Sequence, residues 1–251
     1  MKVVLSPAKQ LNLTASYPIL NYSLPPFLKE AEKLIAVLKQ KSPKEIKSLM
    51  KISDDLAVLN WERYQKWQAE PGKTARPAIF TFDGAVYRGL DIWTIPNDKL
   101  PVVNQYIRIL SGLYGILRPF DLIYPYRLEM GTKLQFDTYK NLYAYWRDKV
   151  TAYLQNEMAP DEILVNLASQ EYFKVIDTKK LNRQIVNIEF KEFKDGKLKT
   201  ITIYTKMARG NMARFIVLNE VKTVDELKLF NENGYAFDAN LSTGNKLVFT
   251  R

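Results

Sequence analysis

Apolar and polar positions alternate along this chain in two different periods, and together they predict a mixed α+β protein. Lys2 to Leu5 is a β-branched run stopped by Ser6-Pro7, which predicts a first strand. After Pro25-Pro26, the residues Phe27, Ala31, Leu34, Ile35 and Leu38 recur at steps of three and four, the apolar stripe of one helix. Ser42-Pro43 supplies a cap and a first-turn proline for a second helix, with Ile46, Leu49 and Met50 facing inward. A third helix carrying Ala57, Trp61 and Tyr64 follows Ser53-Asp54-Asp55, so residues 27 to 67 read as a helical hairpin array.

From about residue 78 the pattern is mixed. Ala78 to Phe82 predicts a buried strand, Leu100 to Ile109 a helix, and the region of Tyr143 to Trp146 another helix. Ile163 to Leu167 predicts a short buried strand that leads to Ser169 as a helix cap. The turn Lys194-Asp-Gly-Lys197, between alternating runs at Ile185 to Lys191 and Lys199 to Thr205, is a hairpin signal. A helix over Lys206 to Glu220, a shorter one near Val224 to Phe230 and a strand at Leu247 to Phe249 end the pattern. No repeat, low-complexity tract or linker interrupts it, so the expectation is one compact domain over residues 1–251, a mixed sheet surrounded by helices.

Composition adds little to the fold. The 251 residues, 47% of them hydrophobic, with 15 tyrosines, 12 phenylalanines and 4 tryptophans, suffice for a full core. Charge says more about partners: 37 lysines and arginines against 27 acidic residues give a formal +10, which favours polyanions through phosphate contacts. The chain has neither cysteine nor histidine. That absence removes thiol redox sensing, disulfides, zinc sites with Cys or His ligands, and nucleophiles activated by histidine. No cofactor is expected and no metal; the remaining oxygen ligands suit magnesium or calcium better than iron. Only three consecutive apolar residues precede the first proline, too few for a signal sequence, and no apolar run approaches a membrane span. The expected location is cytoplasmic, with no membrane partner.

The segment Leu110 to Asp121, continued by Pro125 to Gly131, mixes glycine, proline, aromatic rings and both signs of charge without a helical or strand period. Such a mixture suits a shaped site. Together with Ser6-Pro-Ala-Lys9, Asn166-Leu-Ala-Ser-Gln-Glu-Tyr-Phe173 and Ala208-Arg-Gly-Asn-Met-Ala-Arg-Phe-Ile216, in this order, the chain resembles the YaaA family of bacterial peroxide-stress proteins over its whole length. The resemblance implies a stress context, DNA binding and a family-specific fold, and brings no reaction with it. It also implies a link to lowered free iron, read here as a downstream effect because the chain lacks the ligands of an iron store.

Leu49-Met-Lys-Ile-Ser-Asp-Asp-Leu-Ala57 has the spacing of a helix-hairpin-helix turn, Leu-x-Gly-Ile-Gly-x-x-x-Ala, with Lys51 and Ser53 where glycines are usual. Such a turn aims backbone N–H groups at a phosphate, and Lys47 beside it adds charge. An ordinary αα-hairpin capped by Ser53 or Asp54 fits the same residues. On the helix around Lys206 to Arg214, projection places Ala208, Met212, Phe215 and Ile216 on the packing side and Lys206, Gly210 and Ala213 on the other, with Arg209 at the border. There the small residues allow either close phosphate approach or tight helix packing with surface-paired arginines. Arg118 with Asp121, and Arg127 with Glu129, either lock a loop or present guanidinium planes to phosphate while Tyr124 and Tyr126 stack on a base.

Ser6, Lys9, Asn166, Ser169 and Glu171 follow the two strands expected to be central, where open sheets face ligand crevices. Lys9 and Glu171 are the candidate acid/base or Schiff-base pair, although a salt bridge is the commoner use of such residues. These residues predict binding of double-stranded or structured DNA with little sequence preference, with the Lys47 to Ser53 turn setting register. The expected basic cleft holds Lys51, Arg118, Arg127, Lys206, Arg209 and Arg214. Catalysis on a nucleotide, nucleobase or DNA lesion through Lys9, Glu171 and the central arginines is the alternative. A third reading is an adaptor whose aromatic surface holds a DNA repair protein.

Overall fold

Strand β1 (Lys2–Leu5) forms where its β-branched run predicts it, and all of its residues are buried. The computed structural model describes residues 1–18 and 21–251. After β1 come the short β2 (Gln10–Leu11) and three helices, α1 (Leu28–Lys39), α2 (Pro43–Met50) and α3 (Asp54–Lys66). Next are β3 (Arg76–Pro77), α4 (Ala78–Thr81), β4 (Phe82–Asp83) and α5 (Ala85–Leu90). Helix α6 (Leu100–Tyr106) runs straight into β5 (Ile107–Ser111), which turns back as β6 (Gly115–Leu117); β7 (Leu122–Ile123) and α7 (Leu142–Glu157) follow. Then come β8 (Leu164–Asn166), α8 (Gln170–Phe173), α9 (Thr178–Leu181), β9 (Ile185–Lys194) and β10 (Lys197–Lys199). The last elements are α10 (Thr202–Leu218), α11 (Val224–Leu227), β11 (Ala236–Thr243) and β12 (Lys246–Thr250). Among the described residues, no helix is long and apolar enough to cross a membrane.

The main sheet has the order β11-β12-β9-β8-β1-β5-β6, and β10 pairs with the end of β9. Its centre is parallel: Val3 of β1 stands opposite Ile107 on one side and Val165 on the other, and β8, β9 and β12 continue in the same direction. The antiparallel β6 and β11 close the two edges. The architecture is thus the expected α+β domain with a mixed sheet. One topological detail positions everything functional: the chain returns from β1 to pair on one side of it and from α7 to pair on the other. The segments leaving β1 and β8 therefore diverge, and a crevice opens beyond the carboxyl ends of these strands.

Local signals account for the helical array. Helix α1 buries Ala31, Leu34, Ile35 and Leu38, the predicted stripe. Helix α2 begins with a complete capping box between Ser42 and Glu45 and with Pro43 in its first turn. Three other expectations are corrected. Ala78 to Phe82 is mainly the helical turn α4, closed by Thr81 Oγ1 donating to the Pro77 carbonyl at 2.8 Å; its residues are all buried, so no periodicity distinguishes turn from strand. The helix expected over Leu100 to Ile109 ends at Tyr106 because Ile107 to Ser111 supplies the parallel neighbour of β1. Arg108 sits in that strand fully enclosed, its charge met by Glu157 and by the Asn104 carbonyl at 2.7 Å. Finally, the hairpin strand expected to reach Thr205 stops at Lys199, and α10 starts at Thr202.

The central block is a locked loop. Asp121 is completely buried; its carboxylate accepts Ser23 Oγ at 2.6 Å, Arg118 Nε at 3.1 Å and the Arg118 backbone N–H at 2.8 Å. Arg118 also donates to the Leu24 carbonyl at 2.8 Å, so the pair ties this block to residues 23 and 24. Burial raises the Asp121 carboxyl above its usual value even with Arg118 beside it. Nearby, Ser111 Oγ and Tyr126 OH are 2.6 Å apart, and Trp67 Nε1 donates to Tyr114 OH at 2.8 Å. Gly115 turns the chain at φ +70° with its α-carbon against the Trp146 ring, where a side chain has no room.

Helices α5 and α10 touch backbone to backbone. A Cβ on Gly210 would overlap the Val86 carbonyl oxygen, and one on Gly89 would overlap the Met207 carbonyl oxygen. Gly210→Ala should therefore destabilise the fold by about 2–3 kcal/mol, read from urea unfolding midpoints at unchanged slope. Asp121→Ala strands Arg118, Ser23 and a backbone amide and should cost about 3 kcal/mol in the same measurement. A neutral result at either position would mean that the contact is not formed in solution.

Candidate functional site

The crevice beyond β1 and β8 is a cavity of roughly 490 Å³. Its floor is made where the two strand ends are pinned together. Ser6 Oγ accepts the Ser169 backbone N–H at 2.9 Å and donates to Ser169 Oγ at 3.2 Å, and Tyr87 OH donates to the Ser6 carbonyl at 3.0 Å. Ser169 does occupy the cap position of α8, but its hydroxyl makes no cap bond and turns to Ser6 instead. Tyr87, Tyr126 and Tyr172 form an aromatic wall. Burial raises all three hydroxyls above their usual range, and for Tyr172 the neighbouring Tyr126, Glu171 and Glu129 add to it, so the wall is uncharged.

The charged groups divide into two sets. At one side Glu129 holds two cations, Lys9 Nζ at 3.1 Å and Arg127 Nη2 at 3.0 Å. This overturns the expected pairing of Lys9 with Glu171. Glu171 accepts the Gly131 backbone N–H through Oε1 at 3.0 Å, and the Lys9 side chain is 62% exposed, so burial does not desolvate it for Schiff-base chemistry. On the other side, Lys206 and Arg209 project into the cavity from adjacent turns of α10. Arg209 makes no hydrogen bond or ion pair with any described residue; its Nε is sealed from solvent without a partner, and burial alone lowers its pKa.

Of the residues singled out in the sequence, Ser6, Lys9, Tyr126, Arg127, Ser169, Glu171, Lys206 and Arg209 converge on this cavity. The others lie elsewhere. Arg118 is spent on Asp121 and Leu24. Arg214 donates to the Leu90 and Asp91 carbonyls at 3.1 and 3.0 Å, satisfying the end of α5. Asn166 is occupied within the sheet, donating to Asn187 Oδ1 at 2.8 Å and accepting the Ala168 N–H at 3.0 Å. The Gly210 and Ala213 side of α10 is packed, the second of the two uses its small residues allowed; a backbone rather than a phosphate makes the close approach. Of the two tyrosines expected to stack on a base, Tyr124 lies outside the cavity, buried, with its hydroxyl accepting the Gly72 N–H and donating to the Glu70 carbonyl, whereas Tyr126 lines the cavity with its hydroxyl held by Ser111.

The α2–α3 connection is an αα-hairpin. Lys51 ends α2 in the left-handed conformation at φ 53°, which a glycine would take without strain, and Ser53 Oγ caps α3 by accepting the Leu56 N–H at 3.4 Å. Lys47 pairs with Asp54 at 2.8 Å, and Asp54 and Asp55 place two carboxylates in the first turn of α3. Lys44, Lys47 and Lys51 line a separate shallow hollow beside it. Two wall residues, Tyr87 and Tyr172, were not foreseen as site residues. Nothing in the short α5 segment marks Tyr87, whereas Tyr172 adjoins Glu171 within one of the quoted blocks. Among the described residues, no three carboxylates gather into a metal site.

Comparison with known proteins agrees with the residue blocks. A family model described as "Peroxide stress protein YaaA" matches residues 1–241. The chain is 52% identical over 252 residues to a UPF0246 protein of Flavobacterium johnsoniae, covering 100% of both chains. It is 51% identical to a UPF0246 protein of Flavobacterium psychrophilum, again over 100% of both, and 46% identical to one of a Marinomonas species, covering 100% of this chain and 97% of the other. With the matched region spanning the sheet, the central block and the cation-bearing helix, the chain belongs to the peroxide stress protein YaaA family.

Proposed function

We propose that this protein serves the peroxide-stress response by binding DNA phosphates with little sequence preference, and thereby limits iron-driven damage indirectly. The observation that carries this reading is the convergence of Lys9, Arg127, Lys206 and Arg209, borne on three separate chain segments, at the crevice between the diverging strand ends. The exposed lysines of the α2–α3 hairpin offer a second phosphate contact, sequence-independent in kind. Arg118 and Arg214 drop out of the contact set because their donors are committed inside the fold.

Four cleft cations on phosphates give a log-log salt slope of about −3 to −4 for duplex DNA. Fluorescence anisotropy between low and physiological salt should show that slope; a folded sample with no binding at low salt, or a flat titration, sinks the reading. Glu129 pairs with two of these cations and offsets one unit of their charge, so Glu129→Gln should tighten DNA binding several-fold and leave the fold intact.

Chemistry on a nucleotide or DNA lesion is the second reading, favoured by the cavity with Glu171 on its wall. The exposure of Lys9 and its pairing with Glu129 argue against it as the nucleophile. Borohydride treatment with abasic DNA should accordingly trap no covalent adduct. An adduct that forms with the wild type and disappears in Lys9→Arg would favour a lyase instead.

A further inference from the structure

We propose that the cavity is a subsite for a single nucleotide carrying a terminal phosphate, with the phosphate held by Arg209 and Lys206; this rests on the reading that the protein engages nucleic-acid phosphates. The starting point is the isolation of Arg209. Among the described residues, three arginines have a Nε sealed from solvent without a partner, Arg76, Arg183 and Arg209. Arg76 and Arg183 use their terminal nitrogens on backbone carbonyls, the Ala15 carbonyl for one and the Gln155 and Met158 carbonyls for the other. Arg209 uses none. A guanidinium partly withdrawn from water without an anion is a cost to the fold, and this one, its Nε sealed and its terminal nitrogens not, lines a cavity, so a ligand anion is the partner that would offset the cost.

The ligand's chemistry follows from the rest of the lining. Lys206, one turn away, is also unpaired among the described residues, so two positive charges line one side of the same cavity, which matches the double charge of a phosphate monoester better than the single charge of a strand-internal diester. No carboxylate acts on Arg209. Of the three carboxylates on the lining, Asp83 is paired with Arg88 at 3.3 Å, and Glu129 and Glu171 lie beside Tyr172, where they can accept hydrogen bonds from ring amino groups or sugar hydroxyls. The uncharged tyrosine wall suits the apolar faces of a ring. The volume of roughly 490 Å³ falls in the range of about 300–1,000 Å³ that encloses one small ligand, and excludes a duplex. A free nucleoside monophosphate and the phosphorylated end of a DNA strand present the same group.

Isothermal titration of the full chain at fixed ionic strength, with deoxynucleoside 5′-monophosphates, the matching nucleosides and inorganic phosphate, tests this. Monophosphates should bind at least about tenfold tighter than either fragment, and Arg209→Met should weaken them by about tenfold or more while raising the melting temperature. Lys206→Ala, on an exposed position that the fold does not need, should weaken them several-fold. Short single strands with a 5′-phosphate or a 5′-hydroxyl separate the sources: a preference for the phosphorylated end assigns the subsite to DNA termini, and indifference with tight monophosphate binding assigns it to free nucleotides. The inference is overturned if wild type binds no monophosphate, if inorganic phosphate binds as tightly as the nucleotides, or if Arg209→Met binds normally or melts lower. Salt-dependent DNA binding that persists in Arg209→Met without monophosphate affinity overturns only the subsite, whereas Arg209-dependent monophosphate binding without DNA binding overturns only the DNA reading.

Discussion

The contact between Gly89 and Gly210 governs the rest of the site. Because neither position has a Cβ, the backbones of α5 and α10 meet directly, and α10 can neither slide nor rotate against α5 without a clash with the Val86 or Met207 carbonyl. Within the turn before Gly210 this fixes Lys206 and Arg209 at the cavity, and one turn after it brings Arg214 onto the last carbonyls of α5. On α5 itself it holds Tyr87, whose hydroxyl secures the loop after β1. A single close helix pair thus sets both the cationic side and part of the aromatic wall.

Electrostatics then divides the cavity. Glu129 gathers Lys9 and Arg127 into a partly compensated cluster, while Lys206 and Arg209 have no charged partner among the described residues. The overall formal charge of +10 therefore understates the local contrast, since most of the other cations sit in ion pairs or among backbone carbonyls. An uncompensated guanidinium in a partly desolvated place attracts an anion far more strongly than a solvated surface lysine does, because both water screening and competing partners are reduced.

Much of the fold was legible because it is written locally. The strand at Lys2 to Leu5, the stripe on α1, the caps at Ser42 and Ser53 and the Asp195-Gly196 turn each depend on neighbouring residues alone. The errors fell where tertiary context decides. Ile107 to Ser111 is apolar enough for either state and becomes a strand only because β1 has an open edge there, with Arg108 hidden by a partner 49 residues away. Edge strand β11 left no clear alternation because its positions are mostly half or fully exposed. Ser6, Lys9, Ser169 and Glu171 line one cavity because strand ends open into crevices, whereas Asn166, grouped with them in the sequence, is taken up within the sheet. Who pairs with whom did not follow from composition: Lys9 chose Glu129, and the isolation of Arg209 exists only in three dimensions.

The divergence of the chain after β1 and β8 makes the cavity a long-range object, with walls drawn from residues 6–10, 83–87, 126–129, 167–172 and 206–209. No local piece of the protein can hold half of it. Whatever occupies the cavity therefore binds the native chain and not the unfolded one, and occupancy adds RT ln(1 + [L]/Kd) to the free energy of unfolding. A cell whose concentration of ligand rises would slow the proteolytic loss of this chain with no change in its synthesis, so that abundance becomes a readout of the ligand itself.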